Sequence, residues 1–305
     1  MNELLRTDLA LEEKESFEGD GGEISGVKLT ENEKDDINGR VTVVDIFNKK
    51  GAKSMNKPVG KYITLESDYM GVDDSEYIEK LQKELADIIG ELIGNMKKGI
   101  SVLVVGLGNR DVTSDSLGPR TTEKVHITRH LEESESNVSG IIPGVMAFTG
   151  IESAQIVKGV IDEIKPNLVI AIDALAARSV LRLGKTIQLT NTGIQPGSGV
   201  GNHRNSLTEA SLGVPVIAIG VPTVVTAAAL VYDTSEAFIE ALKSSAYSST
   251  IGESVEKLSN AQRYELIRDI IEPKLGPMFV TPKDIDEKIR VLSEIVSGGI
   301  NIALA

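Results

Sequence analysis

The sequence predicts an α/β protein built on a mostly parallel sheet flanked by helices. Three observations predict it. Short apolar, β-branched runs recur as SVLVV at 101–105, LVIAI at 168–172 and VPVIAI at 214–219, with helix-length connections between most of them. These runs do not alternate with polar residues, as expected of strands covered on both faces. No repeat of fixed period competes with this reading.

Taken in order, residues 1–40 hold 12 acidic and 5 basic residues and few large apolar ones, which predicts an extension of loops and short strands outside the main core. Val41 to Phe47 (VTVVDIF) and Lys61 to Leu65 (KYITL) read as strands. Asp74 or Ser75 then caps an amphipathic helix with Ile78, Leu81, Leu85, Ile88, Ile89 and Leu92 on one face, closed by Lys97, Lys98 and Gly99. The strand at 101–105 comes next, with the turn Gly106-Leu107-Gly108-Asn109. Thr186 to Thr190 (TIQLT) is a further strand. Val214 to Tyr232 carries no charge over 19 residues, near the length of a membrane span. Its Pro215, Gly220 and Pro222 point instead to a buried strand, a turn and a helix. From Ser235 onward the pattern is mainly helical, with a loop around Pro273 to Pro277.

Composition narrows the function. A net charge of −13 over 305 residues argues against a dedicated nucleic-acid binder. The absence of cysteine excludes disulfides, thiolate metal sites and a cysteine nucleophile. The acidic start lacks a basic segment followed by an apolar one, so no signal peptide is read and a cytoplasmic location is expected. There is no P-loop, no Gly-x-Ser-x-Gly elbow and no zincin signature.

In an open parallel sheet, ligands bind beyond the carboxyl ends of the strands. Two acids fall at such ends: Asp173, which terminates LVIAID, and Asp115, in the loop after SVLVV. From position alone Asp173 either caps a following helix, ALAARSV, or does chemistry. Two neighbouring carboxyls do not both ionise readily, so one can hold a proton while the other activates water. The Asp-Thr/Ser-Gly triplet of pepsin-like proteases is missing. Asp111 is a further candidate in the first loop, although adjacent Arg110 suggests a plain surface turn. It also stands where a dinucleotide fingerprint would need its third glycine. Gly197, Gly199 and Gly201 either let a loop approach an extended peptide closely or form a tight connection. His126 and His130, four apart, fit a solvated helix face better than a metal pair.

The segments RTDLA at 6–10, MNKPVG at 55–60, GLGN at 106–109 with DSLGP at 115–119, PGVMAFTGIES at 143–153, IAIDALAARS at 170–179, PGSGVGN at 196–202 and PVIAIGVPTVV at 215–225 together resemble the germination protease family of endospore-forming bacteria. The resemblance implies an atypical aspartic-type endopeptidase without a cofactor or metal. Its α/β fold would be similar to hydrogenase-maturation proteases (phosphorylase/hydrolase-like). It also implies a self-processing zymogen, a homotetramer, small acid-soluble spore proteins as substrates, and residence in the forespore or spore core. On this chain it places the catalytic carboxylates at Asp115 and Asp173 and the processing site between Asp8 and Leu9. Residues 1–8 would be a propeptide, and 9–305 a single α/β peptidase domain with an acidic N-terminal extension. A loosely structured N-terminus suits such a cut, which needs an extended segment. Gly197, Gly199 and Gly201 would line the substrate strand. Two other readings are a metal-dependent peptidase with Asp115, Asp173 and His203 as ligands, and a peptide-binding module that sequesters without cutting.

Overall fold

A computed structural model describes residues 7–15, 24–94, 99–131, 136–196, 205–243, 260–275 and 278–305. The strands are β1 (Val27–Lys34), β2 (Gly39–Ile46), β3 (Gly60–Ser67), β4 (Ser101–Gly106), β5 (Asn137–Ile141), β6 (Leu168–Ala177), β7 (Thr186–Thr190), β8 (Val216–Thr226) and β9 (Phe279–Val280). They form one sheet in the order β1-β2-β3-β7-β8-β6-β4-β5, with β9 added at the end of β8. The helices are α1 (Ala10–Glu15), α2 (Lys49–Met55), α3 (Ser75–Ile93), α4 (Leu117–Thr122), α5 (Met146–Thr149), α6 (Ser153–Ile164), α7 (Glu209–Leu212), α8 (Ala227–Lys243), α9 (Asn260–Leu275) and α10 (Ile285–Ala303).

The α/β class holds, and the parallel order holds for half of the sheet. Strands β5, β4, β6 and β8 are parallel to their neighbours within that half. The pairs β1–β2, β2–β3, β3–β7 and β7–β8 are antiparallel. The reason is partly local: a turn at 35–38 joins β1 to β2, too short for the crossover that parallel strands need.

The sheet's two faces result from strict alternation. Val102, Val104, Ile170, Ile172, Ile187, Leu189, Ile217 and Ile219 pack on one face with α3 and α10. Asp74 caps α3 by accepting from the Glu76 and Tyr77 N–H groups. Gly299 lets α10 approach closely, since an added Cβ would stand 2.8 Å from Leu85. On the other face, Leu103, Val105, Val169, Ala171 and Val216 pack with Val157 and Ile161 of α6.

In five places the structure departs from the pattern expected of the sequence, the first being that α3 ends at Ile93, capped by Gly94, ahead of Lys97, Lys98 and Gly99. The run after Asp173 is strand, because residues 173–177 pair with β8 across a bulge. Pro222 lies inside β8, where no turn breaks the run, and α8 follows directly. Pro273 lies inside α9. The N-terminal segment belongs to the core: Leu9, Ala10, Leu11 and Glu12 are all buried, because partners from the sheet meet its polar groups. Among the described residues no helix is long and apolar enough to cross a membrane.

Candidate active site

Strand β4 stops at Gly106, whose partner on β6 is Ile172. Asp173 is therefore the first residue of β6 beyond the end of β4. It is 5% exposed, pairs with Gly220 on β8, and its carboxylate accepts from the Ala174 N–H at 3.0 Å. Alternation places it after Val169 and Ala171, on the α6 face. The capping alternative fails, since no helix follows.

Asp115 is brought to the same end of the sheet. As the chain leaves β4, the Leu107 N–H still donates to the Ile172 carbonyl at 2.8 Å, immediately before Asp173. The following turn folds back on itself, and the Asp115 carboxylate accepts from the Asn109 N–H at 2.7 Å. Two glycines permit this. At Gly108 (φ +111°) a Cβ would stand 2.1 Å from the Asp115 carbonyl oxygen, and at Gly118 it would stand 2.6 Å from that of Ile172. Thr223 of β8 donates to the Ser114 carbonyl at 2.7 Å and ties the turn to the strand beside Asp173. Two acids from neighbouring strand ends are thus held by one backbone network.

The Asp8–Leu9 peptide is seated in the protein. The Asp8 N–H donates to the Ala176 carbonyl at 3.1 Å, and the Asp8 carboxylate accepts from the Ala176 N–H at 3.0 Å. Leu9 is fully buried and packs with Leu175, Val225 and Tyr232. Farther on, Glu12 accepts from the Arg178 and Ser179 N–H groups at 2.8 and 3.0 Å and from the Thr7 hydroxyl. Buried Arg182 stands 3.5 Å from Glu12, 2.6 Å from Glu15 and 2.5 Å from Glu66.

Lys57 and Gln188 join this place without having stood out in the sequence. Lys57 Nζ donates to the Thr7 and Asp8 carbonyls at 3.1 and 3.0 Å, and Gln188 Nε2 donates to the Asp8 carbonyl at 3.1 Å. One signal was available for Gln188: an amide centred in the short strand TIQLT needs a partner if that strand is buried on both sides. Lys57 lies in MNKPVG at 55–60, one of the segments that carry the family resemblance, but nothing in that segment marks what its ammonium would touch.

Other candidates fall away from this place. Asp111 is exposed in a surface turn beside Arg110, which pairs with Glu123 at 2.9 Å. His126 and His130 are exposed and come after α4, so they share no helix face. Gly197, Gly199, Gly201 and His203 lie outside the described residues. Gly193 (φ +80°) and the Ile194–Leu207 bridge form the base of that loop. Among the described residues no group of three or more His, Asp or Glu side chains is placed to hold a metal ion.

The family model of germination proteases (peptidase A25) matches residues 4–248. The chain belongs to the germination protease family. A germination protease of Caldanaerobacter subterraneus subsp. tengcongensis is 46% identical, over 98% of this chain and 94% of that one. The Clostridium tetani germination protease is 45% identical, over 98% and 95%. That of Bacillus subtilis is 38% identical, over 99% and 93%. This membership makes the chain a peptidase. Among solved structures, the [NiFe] hydrogenase maturation protease HycI from Thermococcus kodakarensis KOD1 aligns over 45% of this chain and 80% of its own, at 17% identity and a TM-score of 0.31. That overlap is too partial to bear on the site.

Proposed function

We propose that this germination protease starts the degradation of small acid-soluble spore proteins in the spore core, and that it is made as a zymogen cut between Asp8 and Leu9. Asp115 and Asp173 share a proton. One carboxylate takes a proton from the attacking water and the other gives one to the leaving amine. No metal takes part, and the loop carrying Gly197, Gly199 and Gly201 receives the substrate strand. The working form is a homotetramer.

The observation that carries this reading is the placement of Asp173, almost buried where β4 ends, beside the turn of Asp115. The seated Asp8–Leu9 peptide supports the processing step, and the family's name supports the substrate.

The test is intact-mass spectrometry of a small acid-soluble spore protein incubated with chain 9–305 in excess chelator, beside the Asp173→Asn variant. A single early cut after an acidic residue, absent from a folded Asp173→Asn variant, is expected. An active, folded Asp173→Asn protein would remove Asp173 from the mechanism. Cleavage only after a divalent metal is restored would replace the carboxylate pair with a metal-dependent reaction. Binding with intact substrate masses would leave a sequestering module.

A further inference from the structure

We propose that Lys57 and Gln188 form the oxyanion site for cleavage of the Asp8–Leu9 bond, a role that rests on the processing reading above. Both side chains donate to one atom, the Asp8 carbonyl oxygen, at 3.0 and 3.1 Å. That oxygen belongs to the bond to be cut. The neighbouring Thr7 carbonyl takes a bond from Lys57 and none from Gln188. The two donors, one of them cationic, use both lone pairs of that carbonyl oxygen. They match what a developing negative charge requires.

Each donor is held in place before reaction. Gln188 is buried at the centre of β7, and its Oε1 accepts from the Ala10 N–H at 2.6 Å, which leaves Nε2 to face Asp8. Lys57 comes after the left-handed cap of α2 at Asn56 (φ 47°), and its N–H returns to the Ala52 carbonyl at 3.2 Å. The next residue, Pro58, is fixed by the buried Tyr62 hydroxyl, which donates to its carbonyl at 3.0 Å. Donors that do not have to reorient during reaction stabilise charge most effectively.

The register connects Gln188 of this pair to Asp173. Gln188 on β7 and Asp173 on β6 both pair with Gly220 of β8, so both side chains rise from one face at one level. Leu175 covers Gly220 between them, and Leu9 packs on Leu175. In the reaction, the water oxygen bonds to the Asp8 carbonyl carbon and gives a proton to the ionised carboxylate. The carbonyl electron pair moves onto the oxygen held by Lys57 and Gln188. When it returns, the bond to Leu9 nitrogen breaks, and the protonated carboxyl supplies that nitrogen with its proton.

The chain contains no cysteine, so Lys57→Cys introduces one reactive thiol. Full-length Lys57→Cys is expected to fold, by circular dichroism, and to release chain 9–305 on the order of 10²-fold more slowly than wild type, by intact mass. Alkylation with bromoethylamine rebuilds an ammonium at position 57 and should restart processing, whereas the neutral adduct of iodoacetamide should not. Gln188→Leu provides an independent reading of the other donor and should slow the same cut. Folded Lys57→Cys or Gln188→Leu protein that processes at the wild-type rate would overturn the proposal and leave the processing reading intact. Failure of wild type itself to yield chain 9–305 would overturn both.

Discussion

Arg182→Met tests whether the N-terminal segment is part of the folded core. Arg182 is 9% exposed, and its guanidinium reaches Glu12, Glu15 and Glu66 on α1 and β3. Removing one partner of a buried ion pair costs about 3–5 kcal/mol when the remaining charge is left alone. Here it is not alone. Glu12 keeps the Arg178 and Ser179 N–H groups, Glu66 keeps Arg40 at 2.8 Å, and Glu15 is 42% exposed in its side chain. Those retained contacts reduce the expected loss to about 2–3 kcal/mol, roughly 3–5 °C in melting temperature for a chain of this size. Thermal unfolding followed by circular dichroism reads this directly. Adding Glu12→Gln should cost less in the Arg182→Met background than in wild type, by about 0.5 kcal/mol or more, because the two sites touch. A melting temperature unchanged within about 1 °C and strict additivity would refute the view that α1 is anchored through Arg182.

Leu9→Ala opens a cavity among Leu175, Val225 and Tyr232 and should destabilise the uncut chain by about 2–5 kcal/mol, measured by urea unfolding. Asp233 has its carboxyl pushed up from the ordinary value, first by burial and against the lowering effect of Arg178. A raised carboxyl favours its neutral form when folded, so the ionised group costs stability above the usual carboxylate range. Asp233→Asn should therefore melt higher than wild type at pH 7, with the gain shrinking as the pH falls through that range; a pH-independent difference would contradict this. Burial pushes the Tyr62 hydroxyl up to about 12. Absorbance titration should leave Tyr62 un-ionised at pH 11 in the folded chain, and a Tyr62→Phe difference spectrum at that pH would expose an error.

The features legible in the sequence are those that local sequence determines. The Asp74 cap, strand β7 and the acid ending LVIAID lie where the sequence places them, because capping, β-branched runs and a charge after an apolar run act over a few residues. The stretch 173–177, DALAA, has the composition of a helix, yet pairing with β8 overrides that preference. Likewise, a net charge of −7 over residues 1–40 suggests a solvated arm. Glu12 is buried because Arg182, some 170 positions away, turns toward it. The pair on the Asp8 carbonyl was hidden for the same reason: Gln188 is 180 residues away. The carboxylates were legible from strand ends, but the groups facing the Asp8–Leu9 peptide belong to tertiary structure.

The proposed cut would also place a new charge inside the core. The Leu9 N–H donates to the Thr7 hydroxyl at 3.0 Å, and that hydroxyl donates to the Glu12 carboxylate. Loss of residues 1–8 removes Thr7 and turns a neutral amide into an α-ammonium, charged at pH 7, on a residue with no exposed surface. An unpaired ammonium there would cost several kcal/mol. Glu12, 1% exposed and one oxygen atom away, is the carboxylate placed to receive it. Glu12→Gln should therefore destabilise chain 9–305 more than it destabilises the uncut chain held intact by Asp173→Asn. The excess should be about 1.5–3 kcal/mol, the range of a hydrogen bond to a charged group. Equal losses in the two chains would show that the new terminus leaves its buried seat, and that Glu12 serves only Arg182 and the Arg178 and Ser179 backbone.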